Sequence, residues 1–360
     1  MPQKNIRIKD IALLAGVSEG TVDRVLHKRG KVSKAAAEKV NKVLKEINYR
    51  PNLLAKTLGQ NRTYRIATLT PNPDLDPFWK QSQDGIVAGE KQLAQFGIQV
   101  VIESAFYNPA IKESFQEAAL KVFHSFPDGV LIAPLFYYAS LPFFKRLNEV
   151  KIPYILFNTR IAEAKPLTFI GQDLIQSGRL AADLLRVGQT LPAAFAVLHV
   201  DEDLSNSVHL REKESGFREH LKKKDPFSQV YSFELKNANT AAFRKELNLV
   251  LNIDNLRGVF VSTSKGYAVA PSVKKINPEI RVVGYDLIKV NLECLEAGTI
   301  DFLINQNPMR QAKLGIQSLA NCLLFNKTVP TQHLFPLEII TAQNVGSYLS
   351  HPGNQAGILV

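Results

Sequence analysis

Only a few residues in this chain have types and spacings that could do chemistry, and catalysis is the first chemistry to test. Gly16-Val17-Ser18-Glu19-Gly20 matches the G-x-S-x-G turn that presents a hydrolase nucleophile, but that turn needs a strand before the serine. A helical pattern precedes it here, so Ser18 is not read as a nucleophile. The seven histidines (His27, His124, His199, His209, His220, His333 and His351) include no H-x-x-x-H pair, and no phosphate-cradling G-x-x-x-x-G-K-[ST] or G-x-G-x-x-G run occurs. Cys294 and Cys322 are too far apart for a metal knuckle and too few for a disulfide framework. The expectation is therefore no enzyme, no metal and no cofactor. Arg24 remains, because a guanidinium can donate two bonds to guanine O6 and N7; its other reading is a phosphate contact, or an ion pair with Asp23 or Glu19.

The elements that must position Arg24 are short helices. Lys9-Asp10-Ile11-Ala12-Leu13-Leu14-Ala15 reads as a helix closed by Gly16, the residue that most easily takes the left-handed conformation. Ser18 can cap the next helix, Glu19 to Leu26, and two helices joined by so tight a Gly-containing turn form a helix-turn-helix. Ile11, Ala12, Ala15, Val17, Val22 and Val25 supply the contacts between them. A third helix starts at the cap Ser33 and runs from Ala35 to about Asn48, with Val40, Val43, Leu44 and Ile47 on one face. In such a motif the start of the second helix enters the major groove of DNA. Ser18 and Thr21 then suit phosphates, Glu19 repels them unless it accepts from cytosine N4, and Gly20 removes a side chain that could have read a base.

Charge placement supports the same reading. Residues 1–65 hold 15 Lys and Arg against 5 Asp and Glu, while the rest of the chain holds 29 against 28. Nearly all of the net +11 therefore lies on less than a fifth of the 360 residues. A solvated basic tail would not carry apolar periodicity, so a polyanion-binding domain is favoured. No apolar run reaches the roughly 18–20 residues of a membrane span. No apolar segment follows the basic start as a secretory signal would require, and the expected compartment is the cytoplasm.

The run Ile8-Lys9-Asp10-Ile11-Ala12, Ala15-Gly16-Val17-Ser18, Thr21-Val22-Asp23-Arg24-Val25-Leu26, Val32-Ser33 and Asn48-Tyr49-Arg50-Pro51-Asn52 resembles the LacI/GalR family of repressors. Asp23 departs from the serine that many members carry. The resemblance implies that the segment after Pro51-Asn52 is a hinge helix that folds on operator DNA. Leu58 would wedge into the minor groove with Ala55 beside it, a device that kinks the duplex; the alternative for Leu58 is linker packing. Operator DNA and a homodimer are the implied partners, because operators are usually two-fold.

From Arg65 the pattern changes to short apolar strands alternating with amphipathic helices. Strands are expected at 65–71, 98–103, 129–134, 153–158, 167–171, 194–199, 230–235, 258–263, 281–284, 302–305 and 338–341. Near-continuous apolar strands with helical spacers mean parallel, doubly wound sheets, and this many strands suit two lobes better than one sheet. The fold class is thus α/β, with a small all-α helix-turn-helix headpiece before a two-lobed, doubly wound parallel-sheet body. That body resembles the type I periplasmic binding proteins. The expected domains are a headpiece at 1–49, a hinge at 50–62, a body at 63–345 and a C-terminal tail at 346–360. Lobe 1 is expected at 63–160 plus 291–322, and lobe 2 at 161–290 plus 323–345.

Ligands of open parallel sheets bind beyond the carboxyl ends of strands. Asp76-Pro77-Phe78-Trp79 follows the first strand and resembles the Asn-Pro-Phe-Phe segment of ribose-type proteins, whose aromatics stack on sugar; Phe78 and Trp79 could equally be core residues. Asn158 and Arg160 follow the fourth strand, the arginine one residue late for the family pattern. Asp173 follows the fifth, as a ligand residue or a plain helix cap. Arg211 and Lys213 stand near the family's Arg-x-x-Gly-Phe helix, with lysine at the arginine position and so without the planar fork. Thr263, within Ser262-Thr263-Ser264, replaces the family's Asn-Asp. Asp286 and Gln306 match the family's sugar-binding aspartate and crossover glutamine, although Asp286 could also be a cap. The resemblance implies a sugar or sugar derivative between the lobes that biases the hinge helix, with no membrane partner. A transporter's solute-binding component fits the body but not the headpiece.

Overall fold

The computed structural model describes residues 7–26, 29–47, 62–96, 98–238 and 240–350. The chain divides into two compact units, Met1–Gln60 and Asn61–Val360. In the first, α1 (Ile8–Ala15) ends at Gly16, whose φ of 61° and ψ of 41° make the left-handed turn. Ser18 then starts α2 (Glu19–Leu26), its Oγ accepting from the Thr21 amide at 3.2 Å. Ser33 caps α3 (Lys34–Glu46) through the Ala36 amide. Ile11, Ala12, Ala15, Val22, Val40 and Val43 form the core of this unit. All are small or β-branched, which lets three short helices approach closely.

The second unit holds two six-stranded sheets. The first is built from β1 (Tyr64–Pro71), β2 (Val100–Tyr107), β3 (Gly129–Ile132), β4 (Tyr154–Phe157), β5 (Thr168–Gly171) and β11 (Gln332–Leu334), in the order β11-β5-β4-β3-β1-β2. All of its pairings are parallel. Its layers include α4 (Pro77–Gln95), α5 (Lys112–His124), α6 (Tyr137–Glu149) and, from much later in the chain, α12 (Pro308–Phe325). The second sheet contains β6 (Ala194–Val200), β7 (Gln229–Leu235), β8 (Leu256–Val261), β9 (Arg281–Tyr285), β10 (Phe302–Asn305) and β12 (Glu338–Ile340), in the order β12-β10-β9-β8-β6-β7. Only β12 runs antiparallel. Its helices are α7 (Leu174–Arg186), α8 (Val208–Lys224), α9 (Ala241–Leu251), α10 (Ala270–Ile276), α11 (Lys289–Glu296) and α13 (Val345–Ser350). Strands β3–β5 and β6 are buried along their whole length, the burial on both faces that their continuous apolar sequence implies.

Three lobe assignments read from sequence are corrected. Strand β5 lies between β4 and β11, so 168–171 belongs to lobe 1 and not lobe 2. Strand β10 pairs with β9, so 302–305 belongs to lobe 2, while β11 returns to lobe 1. The chain therefore crosses after β5, after β10 and between β11 and β12. The reason is that apolar periodicity locates strands but carries no record of their neighbours. Strand β11 was not expected at all, since its three residues are exposed and have no apolar pattern. Nor is 346–350 a tail: α13 packs there, and its Tyr348 hydroxyl donates to Glu338 at 2.5 Å.

One side-chain amide ties the crossovers together. Gln172 Nε2 donates to Asn305 O at 2.9 Å and to Pro336 O at 2.8 Å. Helices α7 and α8 touch backbone to backbone: a Cβ on Gly178 would lie 1.8 Å from the carbonyl oxygen of Lys213. That contact fixes where α8 presents its side chains.

Candidate functional site

On the headpiece, the start of α2 presents an exposed polar face. Ser18, Glu19, Gly20 and Arg24 are exposed and Thr21 is half-buried. Ser18 and Thr21 hydroxyls lie 2.9 Å apart. Arg24 folds back along its own helix, with Nε donating to Gly20 O at 3.0 Å. A Cβ on Gly20 would meet the guanidinium at 3.6 Å, an ordinary van der Waals contact. The hinge candidates Ala55 and Leu58 lie outside the described residues.

In the body, a narrow cleft that opens to solvent, with a cavity volume of about 30 Å³, lies beyond the carboxyl ends of both sheets. Lobe 1 contributes Asp76, Phe78, Trp79, Leu135 and Asn158. Asp76 caps α4 by accepting from the Phe78 amide at 2.8 Å. Burial pushes its carboxyl above the usual range, opposed by the Phe78 amide and Lys265. Phe78 and Trp79 meet edge to face at 4.8 Å, and Trp79 also packs on Phe157. They belong to the lobe 1 core and line the cleft as well.

Lobe 2 contributes most of the charge. Lys213, 2 % exposed, projects from α8 to donate to Ser262 O at 2.9 Å, its Nζ 3.7 Å from the centre of the Tyr285 ring. Burial lowers its pKa to about 8, with Asp286 and Glu202 pulling the other way. Asp286 is fully buried and accepts from the Gln306 amide at 3.1 Å and from Gln306 Nε2 at 2.8 Å. Burial pushes its carboxyl up to about 7, despite Lys213 and both Gln306 bonds. Asn158 and Asp286 each end a strand with positive φ, 65° and 69°. Asn and Asp tolerate that left-handed geometry better than most residues. Gln311 links the two walls, donating to Gln306 O at 2.7 Å and accepting from the Asn158 amide at 3.0 Å.

Eight of the proposed ligand residues thus converge: Asp76, Phe78, Trp79, Asn158, Lys213, Thr263, Asp286 and Gln306. Three do not. Arg211 is exposed and braces the Leu204 and Ser205 carbonyls at 3.2 and 2.6 Å. Asp173 caps α7 through the Gln176 amide at 2.8 Å. Arg160 is exposed, and with Asp173 and Arg211 it makes up the charged surroundings of Glu212. For Arg211 the physical reason is register: Lys213, two residues further along α8, faces the cleft. Sequence reading missed Leu135, Glu202 and His209 as lining residues. Glu202 lies two residues beyond β6, so a scan of every strand end would have raised it, whereas His209 lies within the first turn of α8. The lobes also meet outside the cleft. Gln81 Nε2 donates to Leu287 O, and the Tyr137 and Tyr138 amides donate to Asn206.

Comparison with known proteins agrees with this division. Residues 66–327 match the periplasmic binding protein domain, which defines the body as a member of that class. Residues 7–52 match the bacterial regulatory proteins of the lacI family. The chain belongs to the lacI family of regulators, carrying a helix-turn-helix headpiece on a periplasmic-binding-protein body. It is 28% identical to the HTH-type transcriptional regulator CelR of Thermobifida fusca, over 77% of this chain and 80% of that protein. It is 27% identical to the ribose operon repressor of Lactococcus lactis, over 79% and 82%. Among solved structures, a candidate LacI transcriptional regulator from Bacteroides fragilis superposes with a TM-score of 0.73 at 27% identity, covering 80% of this chain and all of that one. An Agrobacterium vitis solute-binding protein bound with α-D-tagatopyranose shares the fold, with a TM-score of 0.68 at 24% identity over 82% and 99%.

Proposed function

We propose that this regulator is a cytoplasmic, homodimeric repressor whose operator affinity is set by a sugar or sugar derivative held between the lobes. The observation that carries it is the convergence of Asp286, Gln306 and Lys213 of lobe 2 opposite Asn158 and the Phe78 and Trp79 rings of lobe 1. Carboxylate, amide and ammonium groups around an aromatic wall suit a ring with polar edges and apolar C–H faces. Two lobes joined by three crossovers can change their relative orientation, and a ligand contacting both walls biases that equilibrium. Arg24, with Ser18, Glu19, Gly20 and Thr21, reads or positions the major groove, and Ala55 and Leu58 take the minor groove.

Selection from random duplexes followed by titration tests the DNA half. An enriched two-fold sequence is expected, with affinity falling steeply as salt rises because several phosphates are neutralised. No enrichment over bulk DNA would reject it. A thermal-shift screen of sugars, sugar acids and polyols tests the effector half, with Asp286→Asn as the control because asparagine accepts the same backbone geometry. The expected result is a stabiliser of the wild type that leaves Asp286→Asn unmoved and changes operator affinity.

A further inference from the structure

His209 lies in the first turn of α8, one helical turn before Lys213 on the same face, and lines the cleft at 6 % exposure. Its Nε2 is 2.7 Å from the Glu202 carboxylate. Its Nδ1 is buried and makes no hydrogen bond among the described residues. An unpaired buried polar atom costs stability. Its place on the wall of a ligand cleft gives that cost a use.

Glu202 is held ionised below the ordinary carboxylate range: burial pushes it up, but the charges of His209, Lys213 and Lys265 and the His209 bond outweigh it. An ionised carboxylate only accepts, so Nε2 must carry a hydrogen and Nδ1 is the ring's open position. We propose that His209 is a specificity-determining residue whose Nδ1 binds one hydroxyl of the effector, with Glu202 as the positioning residue that orients the ring. The inference rests on the effector reading above and deepens it. A hydroxyl suits Nδ1 in either protonation state of the ring, because it can donate to the neutral form and accept from the charged one. An ammonium group can only donate, and a carboxylate can only accept. The cleft offers Asp76, Glu202 and Asp286 as further acceptors and has no arginine among its lining residues, which suits a hydroxyl-rich ligand better than an anionic one.

The test uses the full-length protein and calorimetric binding of D-ribose, D-arabinose, D-tagatose, D-glucose, D-galactose and sucrose, followed by the monodeoxy analogues of the best binder. One deoxy analogue should bind the wild type at least tenfold more weakly than its parent. His209→Ala should weaken the parent sugar by a similar factor and bind that analogue no more weakly than the wild type does. His209→Gln, which keeps a polar side chain, should retain part of the discrimination and guards against a merely misfolded alanine variant. For Glu202, the ring-nitrogen chemical shifts of His209 should show the Nε2–H tautomer in the wild type and a mixture in Glu202→Gln. Parent-sugar binding by folded His209→Ala within twofold of wild type would overturn the inference while leaving the effector reading standing. A wild type that binds none of the six sugars would overturn both.

Discussion

The two lobes have nearly the same strand order, yet the walls they turn towards the cleft differ in kind. Lobe 1 presents aromatic and apolar groups with one carboxylate and the Asn158 amide, whereas lobe 2 presents Glu202, His209, Lys213 and Asp286. In both, the lining residues follow strand ends near the point where strand order reverses, between β1 and β3 and between β6 and β8. One topology therefore supplies two sites of contrasting polarity. The lobe 1 wall is made of groups that also stabilise its core. The lobe 2 wall holds Lys213 and Asp286, whose shifts, down for the lysine and up for the aspartate, show burial disfavouring both charged forms.

The largest effect should come from the backbone contact that positions the charged wall. Gly178→Ala forces a methyl against the Lys213 carbonyl and should destabilise the body by about 3 kcal/mol or more, read by urea unfolding. A loss below about 1 kcal/mol would mean that α7 and α8 can separate cheaply.

Asp286 provides a test with a definite sign. Its folded pKa of about 7 lies above the ordinary value of 3.8, so the folded state holds the proton more tightly. Its contribution is fully present below about pH 4 and is lost as pH rises through 7. Asp286→Asn should therefore be more stable than wild type at pH 8, by up to about 4 kcal/mol, and should approach it at pH 4. The same variant should lose effector binding. Lys213 has the opposite slope: with a folded pKa of about 8 against 10.5, stability should rise between roughly pH 8 and 10, and Lys213→Met should flatten that rise. Stability curves of the variants that run parallel to wild type would remove the contrast between the walls.

On the aromatic wall, Trp79→Phe keeps part of the packing and should weaken sugar binding by about three- to tenfold, because one stacking surface shrinks. As the chain's single tryptophan, Trp79 should also change its emission when the cleft fills. The smallest effect is expected from Asp173→Ala, which removes a helix cap worth about 1 kcal/mol and should leave ligand affinity unchanged. A binding defect there would return Asp173 to the site.

The legibility of this chain follows the range of the interactions involved. The Gly16 turn, the Ser18 and Ser33 caps and most strand positions were readable because each depends on residues a few places apart. Asp76, Asn158, Asp286 and Gln306 were readable because the ends of apolar strands are local landmarks. Arg211 and Lys213 were both placed in the cleft by a family pattern, and the facing of α8 brings only Lys213 there. Asp173 could be a cap or a ligand by sequence alone, and only its neighbours decided for the cap.

By itself the sequence determined a basic helix-turn-helix, a body of parallel strands and helices, and the residues that end those strands. All of these follow from periodicity, capping and charge, which act along the chain. Tertiary structure decided which lobe owns β5, β10 and β11, how Gln172 ties the three crossovers, and that His209 faces the cleft with one ring nitrogen unpaired. Strand neighbours and the pairing of a buried atom depend on groups brought together from distant parts of the chain, and no local pattern records them.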